Sequence, residues 1–189
     1  EQLWDISSKL EFDHLCGVPY AALSISSTMA VLNSKSMIVK RKEKKRHGTK
    51  KMVEGIYKQG DSCLVIDDVI SSGISMKETL EALEVEGLEI KHVLSIVDRM
   101  QGGALLLNDY GYKVHTVYTI REILEYMKEG GKINAKQYTD TLVFIETNRI
   151  DFEQVRARRE QAVSYSYKKI GKEAMHPVAK RLAKIVQSK

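Results

Sequence analysis

The chain has 189 residues, 43% hydrophobic and 29% charged, with a net charge of +5. That suffices for one sizeable core, and no apolar run is long enough to cross a bilayer as a helix. Two cysteines in apolar runs, with no CxxC or HExxH pattern, argue against a disulfide framework or a structural metal and read as small core residues of a reducing compartment.

Residues 1–10 have weak helical character and lack the basic start and apolar run of a signal peptide. Residues 12–18 read as a strand entering a turn at Gly17-Val18-Pro19-Tyr20, and residues 22–32 as a helix. A strand over 36–40 leads into a charged segment. Residues 40–51 hold eight Lys or Arg against one acid, Glu43. This window carries +7, so the remainder of the chain sums to −2, and the protein is near neutral apart from one cationic segment suited to an anionic partner.

A short strand is predicted over 53–57, with a turn at Gln59-Gly60-Asp61. Cys63-Leu64-Val65-Ile66 is a continuous apolar run, as expected of a parallel strand covered on both faces, and is predicted to end at Asp67-Asp68. A helix follows over 75–86, opened by the capping-box pattern Ser75-Met76-Lys77-Glu78 and stopped by Gly87. Further strands are predicted over 92–97 and 114–118, separated by a helix over 104–110. Thr119-Ile120-Arg121-Glu122 is a second capping box, opening a helix to about Glu129. The alternation predicts an α/β fold with a mostly parallel sheet. Beyond Gly131 the pattern turns helical, over 134–147, then polar, with a last amphipathic helix from Pro177. The expected division is a core over 1–147 and a helical extension over 148–189.

The stretch CLVIDDVISSGIS, residues 63–75, carries the chemistry. Above the carboxyl end of a parallel strand lies the usual ligand crevice. Carboxylates there accept hydrogen bonds from sugar hydroxyls. The small loop Ser71-Ser72-Gly73-Ile74-Ser75 runs onto a helix N-terminus, where free amides and the helix dipole favour phosphate. Acids beside such a loop describe a ribose 5-phosphate cradle. No Walker-type lysine is present. The competing reading is a plain strand–turn–helix junction with solvated acids.

These thirteen residues resemble the phosphoribosyl pyrophosphate (PRPP) signature of the type I phosphoribosyltransferases. Gly17-Val18-Pro19-Tyr20, Arg41-Lys42-Glu43 with His47-Gly48, Val53-Glu54-Gly55 and residues 97–103 (VDRMQGG) resemble orotate phosphoribosyltransferases, most of all that part of eukaryotic UMP synthase. The resemblance is strong over residues 15–121. His176-Pro177-Val178-Ala179 resembles the entry to an orotidylate decarboxylase domain, without decarboxylase residues after it.

The resemblance implies a type I phosphoribosyltransferase fold with a mobile catalytic loop, and transfer of the phosphoribosyl group of PRPP to orotate. It implies ribose contacts from Asp67 and Asp68, and PRPP contacts from Val69, Ile70, Ser71, Ser72, Gly73, Ile74 and Ser75. Tyr20, Arg41, Lys42, Lys45 and His47 would bind pyrophosphate, several of them across a homodimer. Lys45, His47 and Asp68 would be catalytic. Ser71 and Arg99 would contact orotate. Mg²⁺ would be held through PRPP and water, with no direct protein ligand. The family's lysine after the tyrosine is here Ala21. The family also carries a region ahead of the position of Leu3 that this chain does not match. The chain is therefore expected to be a fragment with weak or no turnover. A cytoplasmic enzyme with neither nucleic-acid nor membrane partners is expected.

Two other readings stand beside the enzyme. One is a regulatory protein on the same fold that binds PRPP, nucleotide or nucleic acid without turnover, using the cationic loop. The other is an inactive dimerising domain. Without the resemblance, Asp98-Arg99 would read as a surface ion pair, and the basic loop as a solvated face.

Overall fold

The computed structural model describes residues 1–42, 52–151, 153–157 and 160–161. Seven strands are present among them: β1 (His14–Gly17), β2 (Ser36–Met37), β3 (Val39–Lys40), β4 (Val53–Glu54), β5 (Cys63–Ile70), β6 (His92–Asp98) and β7 (Lys113–Thr119). Helices α1 (Gln2–Ser7), α2 (Ala21–Leu32), α3 (Ile74–Val85), α4 (Gly103–Asp109), α5 (Ile120–Glu129) and α6 (Ala135–Thr147) accompany them, and residues 153–157 and 160–161 are helical as well. Five strands form a parallel sheet in the order β2-β1-β5-β6-β7.

Both faces of this sheet are covered, which is why β1 and the first half of β5 are buried at every position. On one face, Leu15, Leu64, Ile66 and Leu94 pack with Met29 and Ala30 of α2 and with Leu3, Trp4 and Ile6 of α1. On the other, Cys16, Val65 and Val93 pack with Met76, Leu80 and Leu83 of α3 and Leu106 and Leu107 of α4. Both cysteines are buried and free.

The chain leaves β1 outward through α2 to β2, then returns to β5 on the other side of β1. The connection changes face and direction between β1 and β5, which opens a crevice at their carboxyl ends. Gly17 lies at that switch point, in register with Ile66. A methyl group there would sit 2.4 Å from the Ala22 carbonyl oxygen and from Ser26 Oγ. The backbone of α2 cannot yield as a flexible side chain would. Gly17→Ala is expected to lower the unfolding free energy by about 3 kcal/mol, the upper end for an overpacked core, as read from the urea midpoint. An unchanged midpoint would show that α2 is free to move.

Several boundaries differ from the sequence reading, and the short strand predicted over 53–57 is only Val53–Glu54. The predicted strand over 36–40 is two strands. Ile38 is fully buried and its amide donates to the Leu15 carbonyl at 2.9 Å; beyond it the chain leaves the main sheet, and β3 pairs antiparallel with β4. The strand predicted to end at Asp67-Asp68 continues to Ile70, because β6 keeps pairing with it: Asp67 with Ser95, Val69 with Val97 and Ile70 with Asp98. The capping box at Ser75 does not form. Gly73, at φ +75°, starts α3 one residue earlier, at Ile74, with no side-chain cap. The Thr119–Glu122 box is present, and Asn134–Gln137 forms another at α6.

Candidate functional site

Three parallel strands, β1, β5 and β6, bring their carboxyl ends side by side, and the loop leaving each becomes one wall of the crevice. The walls are hydrogen-bonded together. The Val18 amide donates to the Ile66 carbonyl at 2.8 Å, Arg99 to Ile70 at 2.9 Å, and Gly103 to Ser71 at 2.9 Å.

Asp67 and Asp68 lie inside β5, past the last residue that β1 pairs with. On the β1 side their strand edge is open, while β6 continues to support it. Asp67 is buried at 8% exposure and Asp68 half-buried. The Asp68 amide donates to Asp67 Oδ1 at 2.9 Å, and the Val69 amide to Asp68 Oδ1 at 2.8 Å. Burial, followed by the hydrogen bond and charge of Asp68, raises the Asp67 pKa to about 7. At neutral pH this carboxyl is poised between its two forms.

Next comes the turn Ser71-Ser72-Gly73. Because α3 lacks a side-chain cap, its first-turn amides are left for another acceptor. Ser71 and Ser72 are half-buried; Ile74 and Ser75 are exposed. Gly73 is wedged against the start of α4, where a methyl group would meet the Gly103 carbonyl oxygen at 3.1 Å. The converse contact is tighter. A methyl on Gly103 would lie 2.5 Å from the Ser71 carbonyl oxygen and 2.6 Å from the Gly73 nitrogen. Gly103 therefore holds the shape of the loop from behind. Sequence reasoning included it in a motif without giving it a role.

Arg99 follows β6 and is exposed. It is not paired with Asp98, whose Oδ1 accepts from the Met100 amide at 2.7 Å and whose pKa is raised by burial. The surface ion pair that the dipeptide suggests is thus not formed. Behind this loop, the Ile150 amide donates to the Gln101 carbonyl at 3.0 Å, and the Ile150 side chain packs where a Gly102 methyl would project. A cavity of about 440 Å³ adjoins this loop, lined by Asp98, Met100 and Gly102 and by residues of β7, α4 and α6.

On the β1 side, Tyr20 is exposed, and the Lys42 ammonium stands 5.1 Å from its ring centroid. Arg41 leaves the β3–β4 ribbon with its amide on the Met52 carbonyl at 2.8 Å and its guanidinium on Glu54 at 2.5 Å. Arg41 Nε is buried with no hydrogen-bond partner among the described residues. The ribbon lies against β1 and α3, so both ends of the cationic segment are anchored beside the crevice. Lys45 and His47, with Glu43, Gly48 and Thr49, fall outside the described residues. So does the segment His176–Ala179. The structure thus gathers Tyr20, Arg41, Lys42, residues 67–75 and Arg99 around the carboxyl ends of three adjacent strands.

A family model described as phosphoribosyl transferase domain matches residues 3–117, most of the sheet and the whole crevice. The chain belongs to the phosphoribosyltransferase family. Within it, the chain is 37% identical to uridine 5'-monophosphate synthase of Bos taurus over 193 residues, covering 97% of this chain and 39% of the relative. It is therefore similar to about two fifths of that protein's length. The solved UMP synthase of Leishmania donovani superposes with a TM-score of 0.70 at 31% identity, covering 77% of this chain and 32% of that one. The orotate phosphoribosyltransferase of Aeropyrum pernix gives a TM-score of 0.60 at 30% identity, covering 67% and 72%. The parallel sheet and its flanking helices are those of this phosphoribosyltransferase fold.

Among the described residues, no helix is long and apolar enough to cross a membrane, and no group of three or more His, Cys, Asp or Glu gathers that could hold a metal ion.

Proposed function

We propose that the crevice transfers the phosphoribosyl group of PRPP to orotate, giving orotidine 5'-monophosphate and pyrophosphate, as a step of pyrimidine nucleotide synthesis. The observation that carries this reading is the uncapped N-terminus of α3 beside paired carboxylates at the β1/β5 switch point. The names of the relatives, UMP synthase and orotate phosphoribosyltransferase, supply the base.

In this reading, the amides and hydroxyls of residues 71–75 hold the 5-phosphate. Asp67 and Asp68 accept the ribose hydroxyls, placing C1 between the pyrophosphate and the incoming base. An orotate ring nitrogen bonds to C1 as the bond from C1 to the pyrophosphate oxygen breaks, and positive charge develops on the sugar. The two carboxylates stabilise that charge. Tyr20 and Lys42, with Arg41 released from Glu54, face the leaving pyrophosphate. Lys45 and His47 are assigned to the same group and to supplying its proton. Arg99 takes the orotate carboxylate as a bidentate pair, with Ser71 beside it.

Mg²⁺ would be held through PRPP and water beside Asp67 and Asp68, whose carboxylates suit a hydrated hard cation. When bound, it neutralises charge on the departing pyrophosphate. A homodimer sharing the cationic segment between sites, in the cytoplasm, completes the proposal.

Formation of orotidylate from orotate, PRPP and Mg²⁺ tests this reading directly. Stoichiometric product supports it. PRPP binding without product would favour the regulatory protein or the inactive dimerising domain. For the base contact, Arg99→Lys is expected to raise the KM for orotate about tenfold while leaving the KM for PRPP unchanged, because an ammonium cannot reproduce the two-pronged contact. Equal rises in both constants would contradict that assignment.

A further inference from the structure

At the opposite, amino-terminal end of the sheet, two histidines meet. His92 opens β6 and His115 is the third residue of β7; the register places His115 beside Leu94, so the pair is diagonal across neighbouring strands. His92 Nδ1 and His115 Nε2 are 3.0 Å apart, with ring centroids 5.2 Å apart and planes inclined by 40°. Both rings are half-buried. His92 also lines an open groove of about 770 Å³, together with Gln59, Glu89, Lys91 and Lys113. Nothing in phosphoribosyl transfer uses this end of the sheet.

We propose that His92 and His115 form a bidentate site for a borderline divalent transition-metal ion of the nickel, copper or zinc type, open to this groove. Two imidazole nitrogens bound to one ion at tetrahedral to square angles stand about 2.9–3.4 Å apart, and the observed separation falls in that range. The β-ladder fixes both Cα positions, so only a small turn of each ring is needed to aim both lone pairs at one point. In the hydrogen-bonded pair one of the two facing nitrogens carries the proton; on binding an ion, that ring shifts to its other tautomer, passing the proton through water to its outer nitrogen, so that both rings stay neutral. The ion then replaces the hydrogen bond between them without changing the charge of either ring. Burial, the His115 charge, Lys113 and Lys91 lower the His92 pKa, and burial and Lys113 lower that of His115, which favours the neutral rings at pH 7. Imidazole donors disfavour Mg²⁺, so this site does not compete with the substrate's ion. The groove supplies room for water to complete the coordination. A bound ion would clip the edge strand β7 to β6.

Calorimetric titration of the whole chain with Ni²⁺ tests the proposal, alongside thermal melts with and without the ion. One ion per chain is expected, with a higher melting temperature in its presence. His92→Gln and His115→Gln should each weaken binding at least tenfold and abolish the thermal shift, while His47→Gln and His176→Gln leave both unchanged. Unchanged affinity in the His92→Gln, His115→Gln double variant would overturn the site, as would loss of binding in the His47 or His176 variants. The melt without metal shows whether each variant is folded.

Discussion

Asp67→Asn is expected to have two opposite effects: a loss of PRPP affinity of about 100-fold, and a gain in thermal stability at pH 8. The loss follows from removing a charged acceptor, whose hydrogen bonds are worth about 1.5–3 kcal/mol. The gain follows from the environment. In the unfolded chain this carboxyl ionises near 3.8, and in the fold burial and Asp68 raise it to about 7. Between those values the folded state holds a proton that the unfolded state has released. The free energy of unfolding therefore falls as pH rises from about 4 to about 7, and stays low above that. Asparagine carries no such charge and removes the fall. The variant should melt higher than the parent at pH 8, by about 2–4 °C for each kcal/mol relieved, and the gap should close towards pH 4. In the parent, PRPP affinity should rise with pH up to about 7, approaching tenfold per unit, because the ribose hydroxyls donate to the ionised form. In the variant this component should vanish, leaving only the titration of the ligand's own phosphates. A parent that melts no lower at pH 8 than the variant would show that Asp67 is not held against its ionisation.

The second large effect is expected at a residue that touches no substrate. Gly103→Ala places a methyl 2.5 Å from the Ser71 carbonyl oxygen and 2.6 Å from the Gly73 nitrogen, against backbone on both sides. The hydrogen bond from the Gly103 amide to Ser71 holds the two segments together, so relief has to come from moving the phosphate loop. Overpacking of this kind costs about 1–3 kcal/mol. If that cost falls on the loop, the KM for PRPP rises about 10- to 100-fold. The KM for orotate and the melting temperature should change far less. A uniform loss of stability with an unchanged KM for PRPP would show instead that α4 yields and the loop does not.

Both predictions depend on features the sequence displayed only in part. The alternation of strands and helices was legible because each strand is covered on two faces and each helix has its own stop. The extent of β5 was not. Its apolar run ends at Ile66, but its pairing with β6 outlasts that run by four residues, and pairing is a property of two strands. Asp67 and Asp68 were recognisable as a site from their place before a small loop. That one is buried with a raised pKa, while the other is half-exposed, depends on where β1 stops pairing. The pattern at Ser75 suggested a cap, but Gly73 starts the helix upstream and leaves the amides open. The role of Gly103 and the meeting of His92 with His115 were not legible for a common reason: each depends on a neighbour about 20–30 residues away, brought close only by the fold. The charge of the cationic segment suggested an anionic partner, but only the family resemblance separated a catalytic loop from a solvated face; the β3–β4 ribbon adds where its two ends are anchored.

Titration of PRPP with Mg²⁺ into the chain, compared with the Asp67→Asn, Asp68→Asn double variant, is the most direct test of the central claim. One PRPP per chain is expected, with affinity falling at least 100-fold in the variant while the fold is retained. Equal affinity in the two proteins would contradict the assignment of this crevice as the PRPP site.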